Sequence, residues 1–271
     1  MKKFGADITC GEMAIEQNLI NGKSSEWALM KRHVSEDVFG VQVAVKSGFR
    51  ATILAELLAN EVNCDFVDLN MGCPIDLVCD QGMGSQLMNR KNSVKHILWG
   101  MTNVLKCPMT VKMRIGWNVN KPNAHLLLPE IQQFAGKGVC AVMIHGRSRL
   151  QRYTKLADWE YIRKAANSQS EELPQLPVIG NGDILSYSDY EEQMEKEGKN
   201  MSTCAMLARG ALIKPWLPTE IKEKRNWDIS ASERLGEFFI SFEIFVLTWR
   251  LWTALRHLEN LRSIWLGALG K

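Results

Sequence analysis

Residues 109–115 read MTVKMRI and residues 139–145 read VCAVMIH, two short segments dominated by apolar and β-branched side chains. Similar segments recur along the chain, and seven in all are predicted as strands: Ala6 to Met13, Phe39 to Val45, Asp65 to Gly72, Met109 to Ile115, Val139 to His145, Pro177 to Gly180 and Thr203 to Ala208. Their apolar runs are nearly continuous rather than alternating. This pattern is typical of strands buried on both faces of a parallel sheet.

The segments between the predicted strands carry apolar residues at helical spacing. The predicted helices are Ser24 to Lys31, Ser47 to Asn60, Ser85 to Leu105, Asn123 to Lys137, Leu156 to Ala166, Ser186 to Lys199 and Pro215 to Arg225. Alternating strands and helices predict an α/β protein, and this rhythm favours a (β/α)8 TIM barrel. A doubly wound open sheet is the alternative, but the chain does not open with the Gly-rich loop usual in that fold.

Seven predicted strands are one fewer than the eight of a closed TIM barrel. The first begins only a few residues after Met1, so we expect a barrel that lacks its first strand and leaves two edges unpaired. From about Ser232 the pattern changes, because residues 232–271 show helical periodicity without a strand signal. We therefore expect a short, divergent C-terminal helical segment.

Composition excludes several classes of protein. Of the 271 residues, 46% are hydrophobic and 23% are charged, which indicates a folded chain rather than a disordered one. The net charge of +3 neither requires nor excludes a nucleic-acid partner. The longest apolar stretch, Phe238 to Trp252, contains Glu243 and Arg250. It is shorter than the ~20 apolar residues of a membrane span, so we expect no membrane partner.

Cysteine usage predicts a reduced protein. The seven cysteines are odd in number and contain no CxxC or Cys/His zinc spacing, so we expect neither a disulfide framework nor a metal. We expect an intracellular location, cytoplasmic or nuclear, and the first ten residues lack the apolar run of a signal peptide. We interpret four cysteines beside apolar runs as buried small hydrophobes: Cys64, Cys107, Cys140 and Cys204.

Polar residues close or follow every predicted strand. Function in TIM barrels collects at the carboxyl ends of the strands, and the residues at these ends are Glu12, Gln42, Asn70, Cys73, Lys112, Arg114, His145, Arg147, Asn181, Asp183, Arg209 and Gly210. Each of these residues alone is equally consistent with a functional role and with the ordinary polarity of a loop. The whole series favours a functional site at the carboxyl ends of the strands. The segments GNGD at 180–183 and ARG at 208–210 follow the last two strands, where such barrels bind phosphate.

Two residues of this series carry reactive groups. Cys73 follows Gly72, which permits a tight bend, and precedes Pro74, which ends the strand. A thiol held there can act as a nucleophile or as an acid, although a buried structural cysteine is the commoner case. Lys112 lies inside a predicted strand, which suits a lysine that faces an anionic ligand or one that extends from the strand end to solvent.

The segment DLNMGCP at 68–74 resembles the signature of the tRNA-dihydrouridine synthases. Further segments resemble blocks of that family in the same order: VKMR at 111–114, IHGR at 144–147, GNGD at 180–183 and ARG at 208–210. Residues 10–13, 39–42, 151–159 and 214–229 resemble the eukaryotic branch that acts on position 47 of tRNA. The resemblance covers about residues 1–235.

The resemblance implies an enzyme that reduces a uridine in tRNA to 5,6-dihydrouridine with FMN and NADPH. NADPH would reduce the flavin, hydride would pass from flavin N5 to uracil C6, and Cys73 would donate a proton to C5 as the catalytic acid. The implied cofactor-binding residues are Gln42, Lys112, His145, Asn181, Gly182, Asp183, Ala208 and Arg209, and the implied substrate-binding residues are Asn70 and Arg147. No metal is implied for this chain.

The resemblance also divides the chain. Residues 1–231 would be an incomplete FMN-binding catalytic barrel, and residues 232–271 a divergent helical tail in place of the family's tRNA-binding helical domain. We therefore expect weakened binding of FMN and of tRNA. Two alternatives stay open: a catalytically impaired fragment that only binds RNA or a partner, and another FMN barrel, such as a dihydroorotate-type oxidoreductase acting on a free pyrimidine.

Overall fold

The computed structural model describes residues 1–196 and 199–236. These residues form one curled sheet of seven parallel strands that lie side by side in chain order. The strands are β1 (Ile8–Ile15), β2 (Val38–Ala44), β3 (Phe66–Met71), β4 (Met109–Arg114), β5 (Val139–His145), β6 (Val178–Asn181) and β7 (Met201–Met206). All seven predicted strands are therefore confirmed, with bounds that differ by a few residues.

Helices connect consecutive strands, as the α/β prediction requires. They are α1 (Glu16–Ile20), α2 (Ser24–Ala28), α3 (Gly48–Glu61), α4 (Asp76–Cys79), α5 (Lys91–Thr102), α6 (Ala124–Gln132), α7 (Trp159–Ala166), α8 (Tyr187–Met194), α9 (Arg209–Ile213) and α10 (Leu217–Glu223). The predicted helix from Ser85 to Leu105 is divided. A 3-10 turn (Gly84–Asn89) precedes α5, because the backbone of Arg90 between them is not helical.

The chain divides into two compact units, Met1–Asn226 and Trp227–Lys271. The first unit contains all the strands named above. In the second, residues 231–236 are helical, and the Ser230 hydroxyl accepts a hydrogen bond from the backbone N–H of Glu233 at 3.2 Å, a typical helix start. The predicted tail lies almost wholly outside the described residues, so the division at residue 231 stays a prediction. No described helix is long and apolar enough to cross a membrane.

The central strands are buried on both faces, as their continuous apolar runs predict. Val41, Leu69, Val111 and Val142 are completely buried, and they pack against helices on the outside of the sheet. The outermost strands are more open: Ile8 of β1 is 57% exposed. Within the described residues, β1 and β7 each pair with one strand only.

The two edges of the sheet are tied together by the first residues and α10. The Thr219 hydroxyl donates to the carbonyl of Phe4 at 2.8 Å, and Lys222 donates to the carboxylate of Asp7 at 2.6 Å. These contacts join the segment before β1 to the helix that follows β7. The curled sheet is thereby held across the gap between its edges.

Two cysteine interpretations are wrong. Cys204 is exposed because it lies on the edge strand β7, and Cys140 is exposed at the beginning of β5. Cys64 and Cys107 are partly buried, in line with their apolar surroundings. An apolar run in sequence does not reveal which of its residues faces away from the core.

Two strand glycines allow aromatic rings to lie against the sheet. A Cβ atom at Gly40 would lie 2.1 Å from the ring of Phe66, and one at Gly180 would lie 2.0 Å from the ring of Trp159. Trp159 is further fixed by its indole N–H, which donates to the carbonyl of Gly182 at 2.9 Å. Glycine is therefore required for close packing at both positions.

We expect Gly40→Ala to lower the free energy of unfolding by about 1–3 kcal/mol, because overpacking displaces the Phe66 ring. Urea denaturation followed by tryptophan fluorescence measures this change. In the Phe66→Leu background the same substitution should cost less, since the ring is gone. An equal cost in both backgrounds would show that the ring is not the cause.

Candidate active site

A cavity of 380 Å³ opens at the carboxyl ends of the strands, which is within the usual range of ~300–1,000 Å³ for small-molecule sites. Nine of the eleven predicted site residues line it: Asn70, Cys73, Lys112, His145, Asn181, Gly182, Asp183, Ala208 and Arg209. The other two, Gln42 and Arg147, lie behind this lining and contact residues in it. The sheet thus brings side chains from five strands and their following loops to one place.

The cavity also has lining residues that the sequence did not assign to the site, among them Met13, Tyr153 and Met206. Glu12, placed at a strand end by the sequence, is exposed instead. Because β1 continues to Ile15, Glu12 lies inside the strand with its side chain on the face opposite to that of Met13. Tyr153 lies within the quoted segment 151–159, and its position in a loop gave no periodic signal.

The loop that carries Cys73 is held by hydrogen bonds on both sides. The Asn70 side-chain oxygen accepts from the backbone N–H groups of Gly72 and Cys73, at 3.1 and 2.9 Å. The Cys73 carbonyl accepts from the backbone N–H of Ser85 at 3.0 Å. Burial raises the pKa of the Cys73 thiol above its ordinary value, so the thiol keeps its proton at neutral pH. This protonated state suits an acid better than a nucleophile.

Lys112 presents a cation to the cavity. Its ammonium group donates to the side-chain oxygen of Asn181 at 3.3 Å, and the Asn181 amide donates in turn to the carbonyl of Met206 at 2.8 Å. Burial lowers the pKa of Lys112, while the negative charge of Asp68 acts in the opposite direction. A buried lysine next to an open cavity can stabilise an anionic ligand.

His145 is kept neutral by its surroundings. Burial and the positive charges of Arg114, Lys112 and Arg147 lower its pKa to about 2. The Nη1 atom of Arg147 lies 3.3 Å from Nε2 of His145. Because a guanidinium only donates, Nε2 is the acceptor and Nδ1 carries the ring proton.

Arg147 and Asp183 form an ion pair behind His145. The Arg147 Nη2 atom lies 2.6 and 2.7 Å from the two carboxylate oxygens of Asp183, and the backbone N–H of Ala157 donates to the same carboxylate. Arg147 is only 2% exposed. Its side chain is thus occupied inside the protein, and its predicted contact with substrate stays a prediction.

Comparison with known proteins shows the family to which the chain belongs. A family model described as dihydrouridine synthase matches residues 1–246. The chain belongs to the dihydrouridine synthase family.

Among curated relatives, the chain is 53% identical over 234 residues to the Homo sapiens protein named "tRNA-dihydrouridine(47) synthase [NAD(P)(+)]-like", which covers 86% of this chain and 34% of that protein. It is 50% identical over 242 residues to the Cryptococcus neoformans "tRNA-dihydrouridine(47) synthase [NAD(P)(+)]", a match that covers 86% of this chain and 33% of that protein. A relative with the "-like" name from Oryza sativa is 44% identical over 243 residues, a match that covers 89% of this chain and 34% of that protein. The chain therefore spans about a third of the length of the curated relatives it matches.

The mouth of the cavity combines arginine and aromatic side chains. The guanidinium groups of Arg114 and Arg209 lie 5.9 and 5.2 Å from the ring centre of Tyr153, within cation–π distance. Arg114 also donates to the carbonyls of Gly72 and Ser148, at 2.7 and 3.0 Å, so it joins the Cys73 loop to the loop after β5. Tyr153 is 57% exposed and offers one flat face at the entrance.

The segment after β6 takes an unusual backbone conformation. Gly182 and Asp183 have φ angles of 129° and 56°, which turn the chain sharply at the cavity. The Asp183 carboxylate also accepts from Arg209 at 3.2 Å, so two arginines neutralise it. An anion can therefore approach this turn despite the aspartate. No group of three or more metal-ligating side chains occurs among residues 1–196 and 199–236.

We expect the ring resonances of His145 to show no titration between about pH 5 and 8, where an ordinary histidine changes charge. Proton–carbon NMR across that interval measures this, and His145→Asn identifies the resonances by their loss. A titration midpoint inside the interval would contradict the neutral state assigned to this ring.

Proposed function

We propose that this chain is the catalytic part of a tRNA-dihydrouridine synthase that uses FMN and NADPH and acts on uridine 47. The observation that carries the proposal is the placement of the partly buried thiol of Cys73 at the cavity that also holds Lys112 and the turn at Gly182. The names of the relatives support the reaction and the position. The reaction needs tRNA and NADPH, so the proposal includes an intracellular location.

The proposal extends to the fold. We infer that the seven strands correspond to strands two to eight of a (β/α)8 barrel. The parallel strand order, the single pairing of β1 and β7 within the described residues, and the contacts of α10 with the residues before β1 support this reading, because they leave one gap between the two edges of the curled sheet.

The donor set of the cavity fits FMN. Lys112 suits the region near flavin N1, where negative charge collects on reduction. Arg209 and the backbone around Asn181, Gly182, Asp183 and Ala208 suit the phosphate, since the two arginines cancel the Asp183 charge. Bound FMN would supply hydride chemistry, accepting hydride from NADPH and delivering it from N5 to C6 of uracil.

Cys73 supplies the second hydrogen of the reduction. A hydride adds two electrons and one hydrogen at C6, so C5 needs one proton to complete the saturated bond. The Cys73 thiol holds a proton at neutral pH and lies at a fixed loop position. Proton transfer from a positioned acid with these properties is ordinary general acid catalysis.

The target base must leave its stack to reach the cavity, which costs a few kcal/mol. Asn70 lines the cavity beside Cys73, in a position to contact the uracil. The exposed ring of Tyr153 at the mouth can stack on a base. Arg114 and Arg209, both near that ring, provide positive charge for the RNA backbone.

A binding role without catalysis is the second candidate. The exposed ring of Tyr153 and the arginines beside it favour this candidate, because such a surface can bind RNA without any reaction. The two candidates differ in their dependence on the thiol, since RNA binding does not require it.

We expect Cys73→Ala to slow tRNA reduction by about 100- to 10,000-fold, the usual contribution of a general acid. Binding of FMN and its reduction by NADPH should persist, and both can be followed by flavin absorbance. Cys107→Ala is the matched control, since Cys107 is partly buried like Cys73 but does not line the cavity. A Cys73→Ala protein that reduces tRNA at the wild-type rate would exclude the proposed acid.

The phosphate site is tested by comparing FMN with riboflavin. Arg209→Met should weaken FMN binding by about 10- to 100-fold, the worth of one hydrogen bond between charged groups. Riboflavin, which lacks the phosphate, should bind wild type and variant alike in fluorescence titrations. Arg90→Met removes the same charge away from the cavity and should change neither affinity. Equal losses of affinity for FMN and riboflavin would show that Arg209 contacts a part of the flavin other than the phosphate.

A further inference from the structure

A continuous chain of buried hydrogen bonds runs from β4 to the Cys73 loop. The Thr110 hydroxyl donates to Oδ1 of Asp68 at 2.6 Å, and Nε2 of Gln42 donates to Oδ2 of Asp68 at 2.7 Å. Oε1 of Gln42 then accepts from Nδ2 of Asn70 at 2.7 Å. Oδ1 of Asn70 accepts from the backbone N–H of Cys73. We call the residues Asp68, Gln42 and Asn70 the relay, and Thr110 is a second donor to Asp68 on the side away from Gln42.

The direction of every bond in the relay is fixed from both ends. An ionised carboxylate only accepts, so Gln42 must turn its amino group toward Asp68 and its oxygen toward Asn70. The backbone N–H of Cys73 only donates, so Asn70 must turn its oxygen toward the loop and its amino group toward Gln42. The two requirements agree. Each side-chain amide of the relay therefore has only one orientation. Hydrogen bonds connected in this way hold their residues more firmly than isolated hydrogen bonds would.

The strands fix the relay in space. Gln42, Asp68 and Thr110 are in register across β2, β3 and β4, so their side chains are direct neighbours on the inner face of the sheet. Asn70 lies two residues beyond Asp68 on the same face of β3. All four residues are at most 8% exposed, so water does not compete for their hydrogen bonds.

The relay needs an acceptor at position 68 rather than a charge. Burial raises the pKa of Asp68 to about 6, against the effect of its hydrogen bonds from Thr110 and Gln42. A protonated carboxyl group would still accept from Gln42 through its carbonyl oxygen and donate to Thr110, whose hydroxyl can reverse. An asparagine can do the same, whereas an aliphatic side chain cannot.

We propose that Asp68 is a positioning residue, which acts through Gln42 and Asn70 to hold the Cys73 loop where its thiol reaches the substrate. The role in catalysis rests on the proposed function, in which Cys73 donates the proton. The placement of the thiol itself is a property of the protein alone and can be measured without any reaction.

The test compares Asp68→Leu, which removes the acceptor, with Asp68→Asn, which keeps it. The first readout is the alkylation rate of Cys73 by iodoacetamide in the cofactor-free protein, measured by peptide mass spectrometry. Asp68→Leu should raise this rate severalfold, because a released loop exposes the thiol and removes the burial that raises its pKa. Asp68→Asn should alkylate at the wild-type rate.

The second readout divides the reaction into its halves. In Asp68→Leu loaded with FMN, oxidation of the reduced flavin by tRNA should slow by about 10- to 100-fold, the effect of misplacing a catalytic group. Reduction of the flavin by NADPH should change little. Thr110→Val is the matched control, because it removes a hydrogen bond from the same carboxylate on the side away from Gln42. It should match wild type in both readouts.

Three outcomes overturn the proposal. They are an unchanged alkylation rate in Asp68→Leu, an equal change in Asp68→Asn and Asp68→Leu, and an equal change in Thr110→Val. If Asp68→Leu does not fold, the double variant Asp68→Leu/Gln42→Leu replaces both partners by apolar groups, which proteins tolerate better. It still deprives Asn70 of its acceptor, so it should alkylate faster at Cys73, and a wild-type rate there would refute the relay.

Failure of the proposed function looks different. A wild-type protein that does not reduce tRNA, with the alkylation pattern intact, would refute the synthase activity and leave the relay supported. A wild-type protein that reduces tRNA, with all variants equal in alkylation rate, would support the synthase activity and refute the relay.

Discussion

The parallel register of β2, β3 and β4 is the constraint on which the site depends. It places Gln42, Asp68 and Thr110 side by side, and two residues further along it pairs Asn70 with Lys112. Because the strands are parallel, all their carboxyl ends open on the same side of the sheet. A slip of one residue in any strand would turn its polar side chains to the outer face and dismantle the cavity.

Positive charge is concentrated at the cavity. Burial first, and then the positive charges of four side chains, lower the pKa of His145 and hold its ring neutral: Arg114, Lys112, Arg147 and Arg209. Asp183 offsets two of them, and Asp68 faces Lys112 from inside the sheet. The remaining excess suits a ligand with a phosphate and a ring that becomes negative on reduction. The same excess cannot be read from the whole chain, whose net charge is only +3.

The sequence predicted the fold well because buried parallel strands leave a strong local signal. Each continuous apolar run became a strand, and polar residues at the ends of five of these strands came to the cavity, while Gln42 of β2 lies behind its lining. For Glu12 the predicted end was two residues early, and because side chains alternate along a strand, the cavity received Met13. The ion pair of Arg147 with Asp183 is a long-range contact without a local signal, so the sequence did not predict it, and the predicted contact of Arg147 with substrate stays a prediction. Tyr153 was missed for the same reason, since only the folded loop brings it to the mouth.

Burial favours one of the two roles that the sequence left open for Cys73, the acid of the proposed reaction. A nucleophile needs the thiolate, and catalytic thiolates lie where positive charge or a helix N-terminus lowers the thiol pKa. Arg114 does favour the thiolate of Cys73, but desolvation is larger and raises the pKa above the ordinary value. The thiol is therefore protonated when substrate arrives, and it can give up that proton only as negative charge develops on the substrate. In the proposed reaction, a hydride arriving at C6 of uracil would create such charge at C5, so the environment of Cys73 suits an acid in a reduction better than a nucleophile in a group transfer.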